Sequence, residues 1–170
     1  TTTLGTTYYV YVAHWLSGST TTGTFTISRS CSAPPPPLTN DECSGAISLT
    51  VNSSCSYSSY SNSGATASLG IPAPGCSFYS GGDVWFSAVV PASGNLNIDT
   101  QSGVITDSGM AAYSGTCGAL TLIVCDDDSG SGAMSMLTLT GRTPGETIFI
   151  RVWEYGNDNN GTFGICVTEP

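Results

Sequence analysis

Branched apolar residues alternate with mostly aromatic residues along 147–155, near the end of the chain. The alternation has a period of two, which predicts a β-strand with one branched face and one largely aromatic face. Turn residues at 143–145, a loop at 156–160 and a second strand at 161–167 complete a predicted β-hairpin. The branched positions are Ile148, Ile150 and Val152, and the opposite positions are Phe149, Arg151, Trp153 and Tyr155.

The chain contains this pattern twice, and the first copy occupies residues 4–28. The two copies match in both strands and differ in the loop, which is two residues longer in the first copy. Such a match is typical of a repeated structural unit. The matching residues are Gly5, Thr7 and Val12 with Gly145, Thr147 and Val152, and Gly23, Thr24, Phe25 and Ile27 with Gly161, Thr162, Phe163 and Ile165.

Short strands separated by turn residues are predicted along the rest of the chain, at 46–51, 83–90, 95–100, 110–113, 120–125 and 134–140. A weaker edge strand is predicted within the Ser-rich residues 52–70. This spacing favours an all-β fold, an antiparallel β-sandwich of the jelly-roll kind, stabilised by disulfides and extended by the N-terminal β-hairpin. We expect almost no helix.

The repeat also predicts the domain organisation. Residues 1–31 are interpreted as the last two strands of a preceding repeat, residues 32–39 as a Pro-rich linker, and residues 40–170 as a complete repeat. A hairpin alone is marginally stable in water, so residues 1–31 are expected to lie against another surface. The four prolines of the linker favour a stiff, extended connection.

Composition and charge exclude two classes of partner. Only 9% of the residues are charged and the formal net charge is -9, with three arginines and no lysine. Nucleic acid is excluded as a partner, because binding phosphates requires clustered Lys and Arg. No apolar run approaches the roughly 20 residues that span a bilayer, so no membrane insertion is expected.

Seven cysteines without a CxxC pair, beside a single histidine, favour disulfides over a zinc site and predict an extracellular or cell-surface protein. Six of them lie in the complete repeat, and Cys31 is left over. Cys43 would pair with Cys166 if the terminal strands are adjacent, and Cys55 with Cys76. Elimination then pairs Cys117 with Cys125, although the extended strand between them should hold them too far apart. Either that strand bends sharply or the elimination is wrong.

Several stretches together resemble a known family. They are NDEC at 40–43, GGDVWFSAVVPASG, SGMAAYSGTCGALTLIVCDDDSG and TPGETIFIRVWEYGNDNNGTFGICV. They resemble a cysteine-containing β-sandwich repeat found in tandem in secreted and surface proteins of gliding bacteria. That repeat is similar to the pre-peptidase C-terminal (PPC-like) domain, a non-catalytic module of secreted proteases. The resemblance implies a fold and an extracellular location, and only loosely a function.

Calcium is the cofactor that we expect. By resemblance to the pre-peptidase family, Asn40, Asp41 and Asp83 match residues that contribute to a calcium site, although Trp85 replaces a second aspartate of the family pattern. Independently, Asp126 and Asp128 present alternating oxygens in an acidic loop, which suits a hard cation. Both groups also have a simpler interpretation, as turn residues or as a solvated acidic loop.

The aromatic residues of the two copies are candidates for a binding surface. They could stack on glycans, form an interface with another module, or belong to an ordinary core. These candidates are Tyr9, Tyr11 and Trp15 in the first copy and Phe149, Trp153 and Tyr155 in the second.

We expect no enzymatic activity, because the chain has one histidine, His14, and no GxSxG turn. The sequence therefore predicts a structural or adhesive repeat of an extracellular cell-surface protein, which assembles with other copies of itself or with neighbouring repeats into a fibre. The alternative is a carbohydrate- or protein-binding module of a secreted hydrolase.

Overall fold

The computed structural model describes residues 7, 9–12, 23–28 and 38–170. The chain separates into two compact units, Thr1–Pro34 and Pro35–Pro170. In the first unit the described residues lie outside any helix or strand, and the remainder of the predicted first hairpin, with Trp15 and Cys31, falls outside the described residues. The assignment of residues 1–31 to the end of a preceding repeat therefore stays a prediction.

Residues 38–170 form ten β-strands and two short 3-10 turns, at Cys43–Gly45 and Tyr155–Asn157. The all-β prediction is confirmed for this part of the chain, in which no helix is long and apolar enough to cross a membrane. The strands are β1 (Ile47–Ser48), β2 (Val51–Asn52), β3 (Ser58–Ser61), β4 (Val84–Val89), β5 (Leu96–Ser102), β6 (Ser108–Thr116), β7 (Ala119–Asp126), β8 (Met136–Leu139), β9 (Thr147–Glu154) and β10 (Thr162–Thr168).

The strands form two sheets packed as a sandwich. The first sheet has the order β1-β4-β9-β6-β7, and the second has the order β2-β10-β5-β8, with β3 also paired to β10. Most pairs are antiparallel, as predicted, but β1 pairs with β4 and β2 with β10 in parallel. The predicted strand at 46–51 crosses from one sheet to the other, and this crossing produces both parallel pairs.

The prediction that β9 and β10 pair as a β-hairpin is wrong. Both strands form close to their predicted positions, but β9 lies in the first sheet and β10 in the second. Residues 155–161 therefore form an arch between the sheets. A period-two pattern shows which face of a strand is buried, and it does not show which strand lies beside it.

The inner faces of both sheets form the main core. The branched face of β9 packs here, opposite the apolar residues of β10. The buried members of this core on the two strands are Ile148, Ile150 and Val152, and Phe163, Ile165 and Val167.

The outer face of the first sheet carries a second apolar cluster. Trp85 and Trp153 are wholly buried in it. Residues 62–82, here called the covering segment, supply Ile71, Cys76 and Tyr79 to the same cluster. The first sheet is thus covered on both sides, and its outer side is closed by a segment with no strand of its own.

Three disulfides join the six cysteines of residues 38–170, and the pairing considered from the sequence was wrong. The pairs are Cys43–Cys117, Cys55–Cys166 and Cys76–Cys125, with Cα atoms 5.5, 5.5 and 6.4 Å apart. Cys43 packs on the outer face of the first sheet, whereas Cys166 belongs to the second, so these two cannot meet. Cys117 and Cys125 lie near opposite ends of β7, which keeps them apart because the strand is extended.

Candidate functional site

Asn40 and Asp41, at the start of the complete module, form hydrogen bonds with distant residues of the same module. The side-chain amide of Asn40 donates to the carbonyl of Trp85 at 3.1 Å, and the carbonyl of Asn40 accepts the Trp85 N–H at 2.8 Å. The carboxylate of Asp41 accepts the N–H and the hydroxyl of Thr66 at 2.6 and 2.9 Å. Asn40 therefore anchors β4, and Asp41 anchors the start of the covering segment.

Asp83 and Arg151 form a salt bridge whose side chains are both fully buried. Arg151 Nε donates to Asp83 Oδ2 at 2.8 Å. The same carboxylate accepts hydrogen bonds from the N–H and hydroxyl of Ser68, the hydroxyl of Tyr79 and the indole N–H of Trp85. Buried charges are tolerated only when paired and hydrogen-bonded in this way.

The covering segment completes the surroundings of Arg151. The guanidinium donates to the carbonyl of Pro72 at 3.1 Å and to the hydroxyl of Tyr79 at 2.6 Å. Its carbon lies 4.3 Å from the centre of the Tyr79 ring and 5.3 Å from that of Trp85, within the range of cation–π attraction. Arg151 thus ties the covering segment to the first sheet.

The network sets the charge state of its members. Burial alone would raise the pKa of Asp83, but hydrogen bonds from Arg151, Ser68 and Tyr79, with the positive charge of Arg151, outweigh it and lower the pKa below its ordinary value of 3.8. Burial and the hydrogen bond to Asp83 raise the pKa of Tyr79. At neutral pH the carboxylate is therefore charged and the phenol is protonated.

The calcium ligands predicted by resemblance do not form an open site. The carboxylates of Asp41 and Asp83 already accept hydrogen bonds from the protein itself. Within the described part of the chain, neither belongs to a cluster of three or more potential metal-ligating side chains. Asp83 is the counter-ion of Arg151, whereas Asn40 is hydrogen-bonded to Trp85 of β4 and Asp41 to Thr66 of the covering segment.

The acidic loop after β7 brings together a different set of residues from the one predicted. Asp126 Oδ1 accepts the hydroxyl of Ser129 at 2.6 Å, and its Oδ2 accepts the N–H groups of Ser129 and Met136 at 3.1 and 2.9 Å. Asp128 lies instead with Asp107 and Asp127, and one carboxylate oxygen from each of the three residues lies within 4.8 Å of the other two. Asp126 closes its own turn and is not a partner of Asp128.

Asp107 is the least satisfied member of this acidic cluster. Its Oδ1 is buried and has no hydrogen-bond partner. Burial raises the pKa of Asp107, and the negative charges of Asp127, Asp128 and Glu154 raise it further. The sequence carried no local signal for this role, because Asp107 is an isolated acid that the fold brings to the loop.

The acidic cluster is expected to oppose folding at neutral pH. The pKa of Asp107 is raised in the folded state, so its ionised form weakens folding above that pKa, and the penalty disappears as the pH falls below the ordinary value of 3.8. Asp107→Asn should therefore raise the melting temperature at pH 7 and lose this advantage in acid. The exposed Asp158→Asn is the control, and an equal rise for both variants would contradict the assignment.

Calcium stays a prediction for this loop, since a cation between the three carboxylates would relieve their repulsion. Calcium is then expected to raise the melting temperature of the wild-type chain and to leave that of Asp107→Asn nearly unchanged. Equal responses of the two proteins to calcium would remove the prediction.

The aromatic face of β9 is not an exposed platform. Trp153 is wholly buried, and its indole N–H donates to the carbonyl of Ser77 in the covering segment at 2.8 Å. Phe149 is half-buried in the same cluster, while Tyr155 is 41% exposed and lies beside Phe78. Of the alternatives considered for these three residues, an ordinary core describes Phe149 and Trp153.

The described aromatic residues of the first copy are exposed, unlike Phe149 and Trp153. Tyr9 and Tyr11, the described members of its aromatic set, are 95% and 91% exposed. The branched residues of this copy, Val10 and Val12, are also exposed. Both faces of the segment are therefore accessible, although the equivalent positions in β9 are covered on both sides.

A groove of about 520 Å³ lies beside the edge of the second sheet, where β2 and β3 flank β10. Hydroxyl groups dominate its lining, chiefly those of serines in residues 48–58. Tyr60 also lines it, but its ring packs edge-on against Phe86 with centroids 4.9 Å apart. The groove offers hydrogen-bonding groups without an open aromatic face.

Among solved structures, the chain is similar to the pre-peptidase C-terminal domain of a collagenase from Bacillus anthracis, with 13% identity and a TM-score of 0.46 over 72% of this chain and 93% of that chain. Among curated proteins, none matches this chain. A family model described as galactose-binding-domain-like and T9SS-associated (type IX secretion system) matches residues 39–163.

These findings confirm the resemblance to a secreted, cysteine-containing β-sandwich. Galactose-binding-like domains are typically non-catalytic, and the three disulfides together with the T9SS association indicate a secreted or cell-surface module. Because the matched region, residues 39–163, takes in nearly the whole sandwich, this chain belongs to the T9SS-associated galactose-binding-domain-like family.

Proposed function

We propose that this chain is a structural and adhesive repeat of an extracellular cell-surface protein, which assembles head-to-tail into a fibre through residues 1–31. The observation that carries the proposal is the exposure of equivalent residues in the two copies of the pattern. Val12 is 47% exposed, whereas its equivalent Val152 is fully buried. Phe25 is 65% exposed, whereas its equivalent Phe163 is 1% exposed.

The contrast has an energetic consequence. Full burial of one Val, Ile or Phe side chain stabilises a protein by about 1.5–3 kcal/mol relative to exposure. Residues 1–31 therefore carry apolar side chains whose burial would favour binding to another surface. Contiguous exposed apolar residues of this kind mark interaction sites in soluble proteins.

The proposed assembly joins two different surfaces of neighbouring copies. The donor is the N-terminal segment and the acceptor is another part of the molecule, so the contact is heterologous. Heterologous contacts generate filaments when the rotation between copies does not close a ring. The three disulfides suit such a role, because they hold the complete module together outside the cell.

Self-association of the purified chain tests the proposal. We expect residues 1–170 to form concentration-dependent oligomers in light scattering and filaments in electron micrographs, and residues 32–170 to remain monomeric. The shortened chain keeps the entire apolar core, whose residues lie within 38–167, and its melting curve verifies that it folds.

Two matched point variants distinguish the loss of a buried apolar side chain from the effect of an added charge alone. Val12→Asp places a charge on the apolar face and should abolish assembly. Thr7→Asp adds the same charge where the equivalent residue, Thr147, is exposed in the complete module, and should assemble normally. A wild-type chain that is monomeric at every concentration would overturn the proposal.

Glycan binding is the second candidate function, and the hydroxyl-lined groove beside β10 is the observation that favours it. We place it second because no lining residue offers an open ring for stacking on a sugar, Tyr60 being engaged with Phe86. Retention of residues 32–170 on an insoluble polysaccharide, lost in a Ser54→Leu variant that obstructs the groove without adding a ring, would favour this function.

A further inference from the structure

Strand β7 is the free edge of the first sheet. Within residues 38–170 it pairs only with β6 and has no strand on its other side. Its eight residues make it the longest edge strand of the sandwich, because β1 has two residues, β8 has four, and β2 and β3 have two and four. An edge strand presents a row of unpaired N–H and C=O groups that can pair with another chain.

Most of this edge lacks charge and proline, two of the features that usually prevent pairing, and its one bulge is confined to Ile123. Residues 119–125 include no charged residue and no proline. Leu122 and Val124 are 42% and 37% exposed. A bulge opposite Ala112 and Tyr113 interrupts the register at Ile123 and leaves residues 119–122 regularly paired with β6. Long, exposed, apolar edges of this type favour strand addition.

Two of the three disulfides hold β7 in place. Cys117 joins its start to Cys43, and Cys125 joins its end to Cys76. A strand with one neighbour would otherwise lose order readily at the edge of a sheet. The disulfides therefore present the edge in a fixed conformation, which lowers the entropic cost of binding to it.

The edge of the second sheet lies at the same end of the sandwich. Strand β8 is the last strand of that sheet, and it contacts β7. Thr138 of β8 is exposed. A partner that supplies one strand to each sheet can extend both at this end, and β9 and β10, the equivalents of the N-terminal segment, belong to different sheets in this way.

Charge favours the N-terminal segment of a second copy as that partner. All 12 acidic residues of the chain lie at or after Asp41, and three of them, Asp126, Asp127 and Asp128, directly follow residue 125 of β7. Residues 1–40 contain no acidic residue, and their one arginine is Arg29. Complementary charge speeds association and suppresses wrong partners. Pro34–Pro37 favour a stiff, extended connection, which favours a neighbouring module over the chain's own.

We infer that β7, together with β8, is the acceptor edge for the N-terminal segment of a second copy of this chain. Residues 9–12 add a strand beside β7 in the first sheet, and residues 23–28 add one beside β8 in the second. The side chains of Val10, Val12, Phe25 and Ile27 then continue the core of the sandwich. The inference rests on the proposed function and names the surface that it uses.

Edge-blocking variants of the full chain test the inference. Leu122→Lys and Thr138→Lys each place a charge on one edge strand, and we expect both to abolish the oligomers seen by light scattering. Leu69→Lys is the matched control, because Leu69 is 83% exposed and lies in the covering segment, not on either edge strand. Melting curves verify that each variant folds.

Hydrogen exchange provides a second measurement in the wild-type chain. Amide exchange in residues 119–122 should slow as the concentration rises and oligomers form, while exchange in the groove residues 53–56 stays constant. If both edge variants assemble like the wild type and exchange in β7 does not change, the inference is overturned while the proposed function stands. If the wild-type chain does not assemble at all, both fail.

Discussion

Replacing Arg151 with methionine is expected to lower the free energy of unfolding by about 3–5 kcal/mol, because breaking a buried ion pair leaves an uncompensated charge. Asp83 would keep its carboxylate in a fully buried position without its cation. The covering segment would also lose the hydrogen bonds from Arg151 to Pro72 and Tyr79. Urea unfolding of the wild type and the variant measures the difference.

The chain contains its own control for this experiment. Arg142 forms a salt bridge with Glu146, and the side chains of the two residues are 26% and 22% exposed. Arg142→Met removes the same positive charge from a partly exposed pair, which should cost about 1 kcal/mol or less. A comparable loss in both variants would show that burial does not determine the contribution of Arg151.

The same pair predicts a pH dependence. The pKa of Asp83 is lowered on folding, so the stability it contributes is present above the ordinary value of 3.8 and is lost as the pH falls through the lower folded pKa. The wild type should therefore lose this stability in acid. In the Arg151→Met variant the cation no longer offsets the burial of Asp83. Protonation of the uncompensated carboxylate should then relieve the penalty, so the stability difference between the wild type and the variant should shrink in acid.

Replacing Trp153 with alanine is also expected to cost about 3–5 kcal/mol, as is typical of a large aromatic side chain in a core. Trp153 is fully buried, packs edge-on against Tyr79 and lies against Gly109 of β6, where a Cβ atom would collide with the indole ring. The variant would also leave the carbonyl of Ser77 without its donor. Thermal and urea unfolding measure the loss.

Tyr155→Ala is the control for this second prediction. Tyr155 follows Trp153 on the aromatic face of the sequence pattern, but it is 41% exposed, and its ring lies beside Phe78 of the covering segment. We expect a change of about 1 kcal/mol or less, as for most surface substitutions. If Trp153→Ala unfolded at the same denaturant concentration as the wild type, the second cluster would not be a core.

The aromatic residues of the two copies have different surroundings. In the complete module the aromatic face supports stability, because the covering segment closes over it. In the N-terminal copy Tyr9 and Tyr11, which align with Phe149 and Arg151, are exposed. Corresponding positions are thus covered in one copy and accessible in the other.

Local patterns in the sequence predicted most of the strands. The alternation in residues 147–155 assigned the correct face to Ile148, Ile150 and Val152, because a strand places successive side chains on opposite sides. Apolar runs bounded by turn residues located β4, β5 and β7 within a residue or two of their ends. Such information is local and does not depend on which strands become neighbours in the fold.

Pairing between distant segments was harder to predict from the sequence. The disulfide partners, the arch between β9 and β10, and the split of residues 46–51 between two sheets all depend on which strands become neighbours. A lone arginine in an apolar strand was a signal that Arg151 needs a buried counter-ion. Its partner, Asp83, is 68 positions away in the chain and was assigned to calcium by resemblance.

The sequence by itself determined the all-β class and the faces of the strands, because these follow from residue periodicity and turn chemistry. Only the tertiary structure decided that Asp83 neutralises Arg151, that the covering segment buries Trp153, and that β7 is an edge strand within residues 38–170. Each of these depends on long-range contacts, in which burial and charge pairing are properties of the neighbours and not of the residue alone.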